Sequence, residues 1–161
     1  MHSTTMNIKN QKRKKFIPIL KENTKKLKFH NYKKEIGTRY LLVDSSLCKD
    51  AKFYLALRSF NKIDNIDHKK QHVLEHKHTV DSYWFFGGDK KNLKGLKVKV
   101  KIGDVEDIFE SPLSIYIPKN TYHYYIPIKG SGFYFNLVLT GKKRYNQVTK
   151  GKLTKNENKR S

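Results

Sequence analysis

Three histidines in two short segments carry the chemistry this chain can do. His76 and His78 are separated by one residue in a β-prone stretch, so on a strand, where side chains alternate with a period of two, both imidazoles leave the same face. Some 45 residues further on, Pro118-Lys119-Asn120-Thr121-Tyr122-His123 delivers a third imidazole at the start of another β-prone run. Neutral imidazoles converging from two strands can hold a divalent metal through one nitrogen each and leave coordination positions open. His72 has the parity of His76 and His78 and is expected behind them, at the mouth or outside the ligand set. His2, His30 and His68 lie in basic or turn-like surroundings that suggest no such role. Any one strand histidine alone is better explained as a surface or hydrogen-bonded core residue; the three together, in this order, favour metal.

The elements that must position them read as strands. Arg39 to Asp44, Lys52 to Phe60, Gln71 to His78, Ser82 to Phe86, Leu96 to Ile102, Val105 to Phe109, Leu113 to Ile117, Tyr122 to Ile126 and Phe133 to Leu139 are short, β-branched or aromatic, and separated by turn residues. Leu96-Lys97-Val98-Lys99-Val100-Lys101-Ile102 alternates without a break, apolar toward a core and lysine toward water. Gly103-Asp104 then turns the chain into Val105 and predicts a hairpin. No long helical period occurs in the core, and a short helix is expected only between Lys21 and Lys28. The spacing is that of an all-β sandwich or barrel.

H-x-H, then a hairpin, then P-x-x-x-x-H within about a hundred β-rich residues resembles the cupin superfamily. The first cupin motif has the form glycine, five residues, H-x-H, three or four residues, glutamate, six residues, glycine; here it runs from His76-Lys77-His78 to Gly87-Gly88. The second, glycine, five residues, P-x-G-x-x-H, three residues, asparagine, corresponds to Pro112, Leu113 to Ile117, Pro118 to His123, and Pro127. The resemblance covers roughly residues 50 to 140. It implies an all-β double-stranded β-helix, the jelly roll or cupin barrel, with His76, His78 and His123 as ligands of a divalent metal ion such as Fe, Mn, Zn or Ni. Asp81, Ser82, His72 and Tyr125 are the candidate pocket residues, and Tyr83 to Phe86 are expected mainly as core.

The sequence departs from the family pattern at the carboxylate. Four residues after the second histidine stands Ser82, and the neighbouring Asp81 has the wrong strand parity, so either a bulge turns Asp81 inward or the site has histidines only. A three-histidine site is similar to that of the cupin-fold thiol dioxygenases. Asn120 replaces the second motif's inner glycine and should take the left-handed conformation that asparagine tolerates. Pro112 and Pro127 replace the leading glycine and the trailing asparagine.

Charge divides the chain. Of a formal net charge of +21, residues 1–34 and 141–161 hold +17, leaving +4 for residues 35–140. The expected organisation is therefore a basic N-terminal extension (1–34), a cupin-like barrel (35–140) and a basic disordered C-terminal tail (141–161). The tails would attract nucleic acid or another anionic surface weakly and without specificity. Lys12-Arg13-Lys14-Lys15 also has the composition of a nuclear-localisation patch. The competing explanation is a general bias toward Lys, Asn, Ile and Tyr.

The single cysteine, Cys48, excludes an intrachain disulfide and follows Ser45-Ser46-Leu47 in a turn-like stretch, where a bystander role is expected. No apolar run is long enough to span a membrane, and a soluble cytoplasmic protein is the default. Walker and dinucleotide glycine loops are absent, and Lys129 to Phe135 fails the register of an RNA-recognition motif. Three functions stay open: a metal-dependent enzyme of a small molecule, a non-catalytic small-ligand-binding cupin whose tails contact a polyanion, and a basic nucleic-acid-binding β-domain, which the charge distribution disfavours. A homodimer is compatible with each.

Overall fold

A computed structural model describes residues 17–64, 66 and 72–151. Among the described residues ten strands follow in chain order: β1 (Leu20–Lys21), β2 (Thr38–Val43), β3 (Tyr54–Ile63), β4 (Lys77–His78), β5 (Ser82–Gly88), β6 (Leu96–Ile102), β7 (Val105–Glu110), β8 (Leu113–Ile117), β9 (His123–Val138) and β10 (Thr149–Lys150). One four-residue helix, α1 (Tyr145–Val148), precedes the last of them.

The long strand β9 organises the barrel. Its first part, His123 to Gly130, pairs with β6, which pairs with β7. Its second part, Gly130 to Val138, lies between β3 and β5, with β2 and β1 outside β3 and β8 outside β5. On the free side of the first part, His76 bridges to His123, and β4 pairs in turn with β10. Every pairing is antiparallel, and the result is the expected all-β jelly-roll barrel, two sheets sharing one strand.

The sequence divided β9 into two strands, Tyr122 to Ile126 and Phe133 to Leu139, at Lys129-Gly130-Ser131-Gly132. The chain instead passes from one sheet to the other without a turn. Gly130 and Gly132 have φ of 98° and 150°, and a Cβ at either would collide with a backbone carbonyl, that of Gly95 or Gly87. Glycine is what lets the two sheets approach there.

Other readings meet the structure more directly. Leu96, Val98 and Val100 are buried and Lys97 is exposed, and Ile102 pairs with Val105 across Gly103-Asp104. Asn120 has φ of 64°, the left-handed conformation expected of it. The expected strand Gln71 to His78 is reduced to the bridges of Val73 and His76 and the two residues of β4; Gln71 lies outside the described residues. In place of a helix over Lys21 to Lys28 there is one 3-10 turn, Thr24–Lys26, started by the Asn23 side chain accepting from the Lys25 amide.

The terminal boundaries also move. Of the expected extension 1–34, residues from Leu20 onward belong to the barrel: β1 pairs with β2, and Thr24 and Phe29 are buried. Glu22 accepts from Arg39 Nε at 2.6 Å and from the Tyr54 hydroxyl. Of the expected tail 141–161, α1 and β10 pack on the barrel and bury Tyr145, Val148 and Thr149. Composition misled here because the lysines point to water while one or two aromatic residues per segment do the packing. Residues 1–16, with the basic run Lys12 to Lys15 and His2, lie outside the described residues, as do His68 and 152–161.

Candidate metal centre

β4 pairs with β10 over only two residues, yet the extended backbone from His76 to His78 keeps the period of two. His76 and His78 therefore face the interior together, with Lys77 between them half-buried. His123, the first residue of β9, faces them across the bridge with His76, whose amide donates to the His123 carbonyl at 3.2 Å while the His123 amide donates back at 2.8 Å. The three ring centroids are 5.1, 4.6 and 4.8 Å apart. One nitrogen from each ring lies within 4.8 Å of the others, and all three residues are buried.

Hydrogen bonds on the outer nitrogens orient the rings. His76 Nδ1 is 2.8 Å from the Leu74 carbonyl oxygen and His123 Nδ1 is 2.9 Å from that of Thr121. A carbonyl only accepts, so both Nδ1 atoms carry the proton and both Nε2 atoms present a lone pair inward. His78 Nδ1 is 3.2 Å from Ser82 Oγ, and donation to that hydroxyl gives His78 the same tautomer. Nε2 of His78 and of His123 are buried with no hydrogen-bond partner. Leaving such an atom unsatisfied costs about 1–3 kcal/mol, and a metal ion would satisfy both at once.

Burial holds these imidazoles neutral. Desolvation lowers His76 to about 4 and His123 to about 3. His78 is driven well below the usual value, first by desolvation and then by the two neighbouring imidazoles and Arg39. Neutral rings with free Nε2 lone pairs are what metal ligation requires, so the donor set fits a divalent ion of nitrogen preference.

Asp81 does not join them. Its Oδ1 accepts from the Lys119 amide at 2.9 Å, and its carboxylate also faces Tyr116. The inward bulge allowed for in the sequence is absent, because Asp81 precedes β5 and keeps the outward parity. Ser82 is fully buried and serves as the hydrogen-bond partner of His78. Among the described residues, no carboxylate approaches the cluster. His72 sits deeper, its Nε2 3.4 Å from the Tyr125 hydroxyl and the two rings edge to face at 5.1 Å. Cys48 lies in a turn, its amide donating to the Asp44 carbonyl.

The cover of the site is made by segments that sequence reasoning left as tails. Phe29 stacks on His76 with centroids 5.9 Å apart and planes 5° apart. Tyr145 packs edge-on to His78 at 5.4 Å and stacks on Tyr54 at 4.4 Å. Thr149 is paired with His78, and the Thr79 amide donates to the Val148 carbonyl at 2.8 Å. Asn146 ties the two ends together, Nδ2 donating to the Lys26 carbonyl at 2.8 Å and Oδ1 accepting from the Lys28 amide at 3.2 Å. A depression of about 220 Å³ marks this seam, lined by Lys28, Phe29, Thr149, Lys150 and Gly151. His30, next to Phe29 and half-buried, has its pKa held well below the usual value by desolvation and then by Arg39 and Arg58.

No protein-family model matches the chain, and no curated protein matches it in sequence. Among solved structures it is similar to a cupin-like protein of Thermotoga maritima (12% identity, 75% of this chain and 82% of the other, TM-score 0.49). It is also similar to an RmlC-like cupin of Shewanella frigidimarina (12%, 79% and 94%, TM-score 0.45). A third similarity is to Fe(II) HppE (14%, 84% of this chain, TM-score 0.47), of whose length the chain spans 62%. Similarity at this level transfers no residue role.

Proposed function

We propose that this protein is a cupin-fold metalloprotein that holds one divalent ion through Nε2 of His76, His78 and His123 and acts on a small molecule. One observation carries the reading: three buried imidazoles, each hydrogen-bonded through Nδ1, bring one ring nitrogen apiece within 4.8 Å of the others, and Nε2 of His78 and of His123 has no other partner. A bound ion would supply Lewis acidity and, if iron, redox capacity, with coordination positions left for a ligand. The chain's own contribution is orientation and exclusion of water. The Leu74 and Thr121 carbonyls fix the tautomers of His76 and His123 and Ser82 orients His78, while Phe29 and Tyr145 close the apolar side.

Elemental analysis of untagged protein after incubation with Co²⁺, Fe²⁺, Mn²⁺, Ni²⁺ or Zn²⁺ tests the reading. One ion per chain is expected, lost in His78→Ala and His123→Ala and retained in His72→Ala. Equal loading of wild type and His78→Ala would overturn it.

A further inference from the structure

The barrel interior beyond the three histidines is largely an apolar core of residues such as Phe60, Phe86, Val98 and Ile117, and the few polar atoms buried among them are left unexplained by the metal reading. β3, β9 and β5 bury alternate residues, so Arg58, Asn136 and Trp84 all face inward. Asn136 pairs with Trp84, and Arg58 stands one step away, opposite Tyr134. Trp84 Nε1, Arg58 Nε, Asn136 Oδ1 and His72 Nδ1 are each buried without a hydrogen-bond partner. Trp84 links them to the metal end, its ring 5.0 Å from His123 and 5.4 Å from Tyr125, which in turn meets His72. Tyr125 follows His123 by two residues on β9, about 7 Å along the strand, and Trp84 lies beside both.

Charge decides what would fill it. Trp84 Nε1 and Arg58 Nε can only donate, so both call for an acceptor. Both carboxylates near the interior are already engaged. Glu22 accepts from Arg39 and Tyr54. Glu35 lies 2.8 Å from Arg58 Nη2, in an ion pair without hydrogen-bond geometry, and accepts from Thr24. With Ser82 in the carboxylate position, a divalent ion on three neutral imidazoles would bring two positive charges that no protein anion balances, and an uncompensated buried charge is costly.

We propose that the loaded site binds a short hydroxycarboxylate. Its anionic group accepts from Trp84 Nε1 and Arg58 Nε, its hydroxyl donates to Asn136 Oδ1, and it completes the coordination left open by the histidines. The proposal rests on the metal reading of the preceding section and goes beyond it by naming the ligand class and the residues that select it.

The test uses the Co²⁺-loaded full-length protein and its visible bands, titrated with glycolate, acetate and ethylene glycol. Glycolate should shift the bands saturably, acetate more weakly, and ethylene glycol, which lacks the charge, not at all. Trp84→Phe keeps an aromatic ring at this position and removes the indole donor, and should weaken glycolate binding about tenfold with Co²⁺ loading unchanged. Arg58→Lys should do the same; should Arg58→Lys not fold, Trp84→Phe decides. A flat titration on Co²⁺-loaded protein, or glycolate binding equal in wild type and Trp84→Phe, would overturn the proposal and leave the metal reading standing. Failure of wild type to take up Co²⁺ would remove both.

Discussion

Asn146→Ala should open the metal centre without unfolding the barrel. Asn146 sits on α1, outside the interior, yet it holds two backbone groups of the N-terminal segment, at 2.8 and 3.2 Å. Both bonds lie at the exposed seam, where each is worth the lower part of the usual 0.5–1.5 kcal/mol, so their loss should cost about 1–2 kcal/mol of closure. With 1.4 kcal/mol per tenfold, the open population rises about 5- to 30-fold. Two rates report on it. Capture of the bound ion by excess chelator should accelerate by that factor, since Phe29 and Tyr145 pack on His76 and His78 and release past them requires the cover to move. Exchange of the Thr79 amide, which donates to the Val148 carbonyl, should accelerate equally in metal-free protein, as expected for local opening. Amides inside β9 should keep their wild-type rates. Unchanged Thr79 exchange in a folded Asn146→Ala variant would refute the view that the terminal segments close the site as a unit.

Further predictions concern protons, tautomers and backbone. His30, His72, His76, His78 and His123 all have lowered pKa in the folded protein. The unfolded chain therefore binds more protons below the ordinary value of about 6.5, and melting of metal-free protein should drop steadily as pH falls from there toward about 4; a flat melting profile over that window contradicts the burial of neutral rings. Ser82→Ala removes the acceptor on His78 Nδ1 and should weaken metal affinity about tenfold or more in a chelator competition, as loss of an outer partner usually does. Gly132→Ala puts a Cβ against the Gly87 carbonyl at a φ of 150° and should destabilise by more than about 1 kcal/mol in denaturant titration, with the midpoint moving and the slope unchanged.

What the sequence revealed and what it hid follow from the range of the interactions. Parity along a strand is a local property, so the common face of His76 and His78, the burial alternation of β6 and the outward turn of Asp81 could be read or framed from neighbouring residues. The left-handed Asn120 was equally local. Arg58 carried a signal of the same kind, since it shares parity with Tyr54, Ala56 and Phe60 in an otherwise apolar alternation. The cover was different. Phe29 and Tyr145 are isolated aromatics in lysine-rich stretches, and their contacts with His76 and His78 span some 47 and 67 residues of chain. No periodicity announces such a contact. The same holds for β9, where two glycines read as a turn because the sheet crossing that needs them is a long-range feature.

Ser82 connects these levels. It occupies a fully buried inward position on β5, beside the second histidine, where a side chain must find its hydrogen bond within the protein. A carboxylate there would have entered the metal's coordination and carried one negative charge into the interior. Serine is too weak a donor for that role, and its hydroxyl lies 3.2 Å from His78 Nδ1, where it orients the ring. The consequence is electrostatic. A metal bound by imidazoles alone keeps its full charge in a barrel whose Glu22 and Glu35 are already committed to Arg39 and Arg58. Affinity for the metal by itself is lowered, and affinity for an anion that arrives with it is raised by the same missing charge. On the proposed reading, Ser82 beside His78 and the unpaired donors of Trp84 and Arg58 in the barrel interior have one physical explanation.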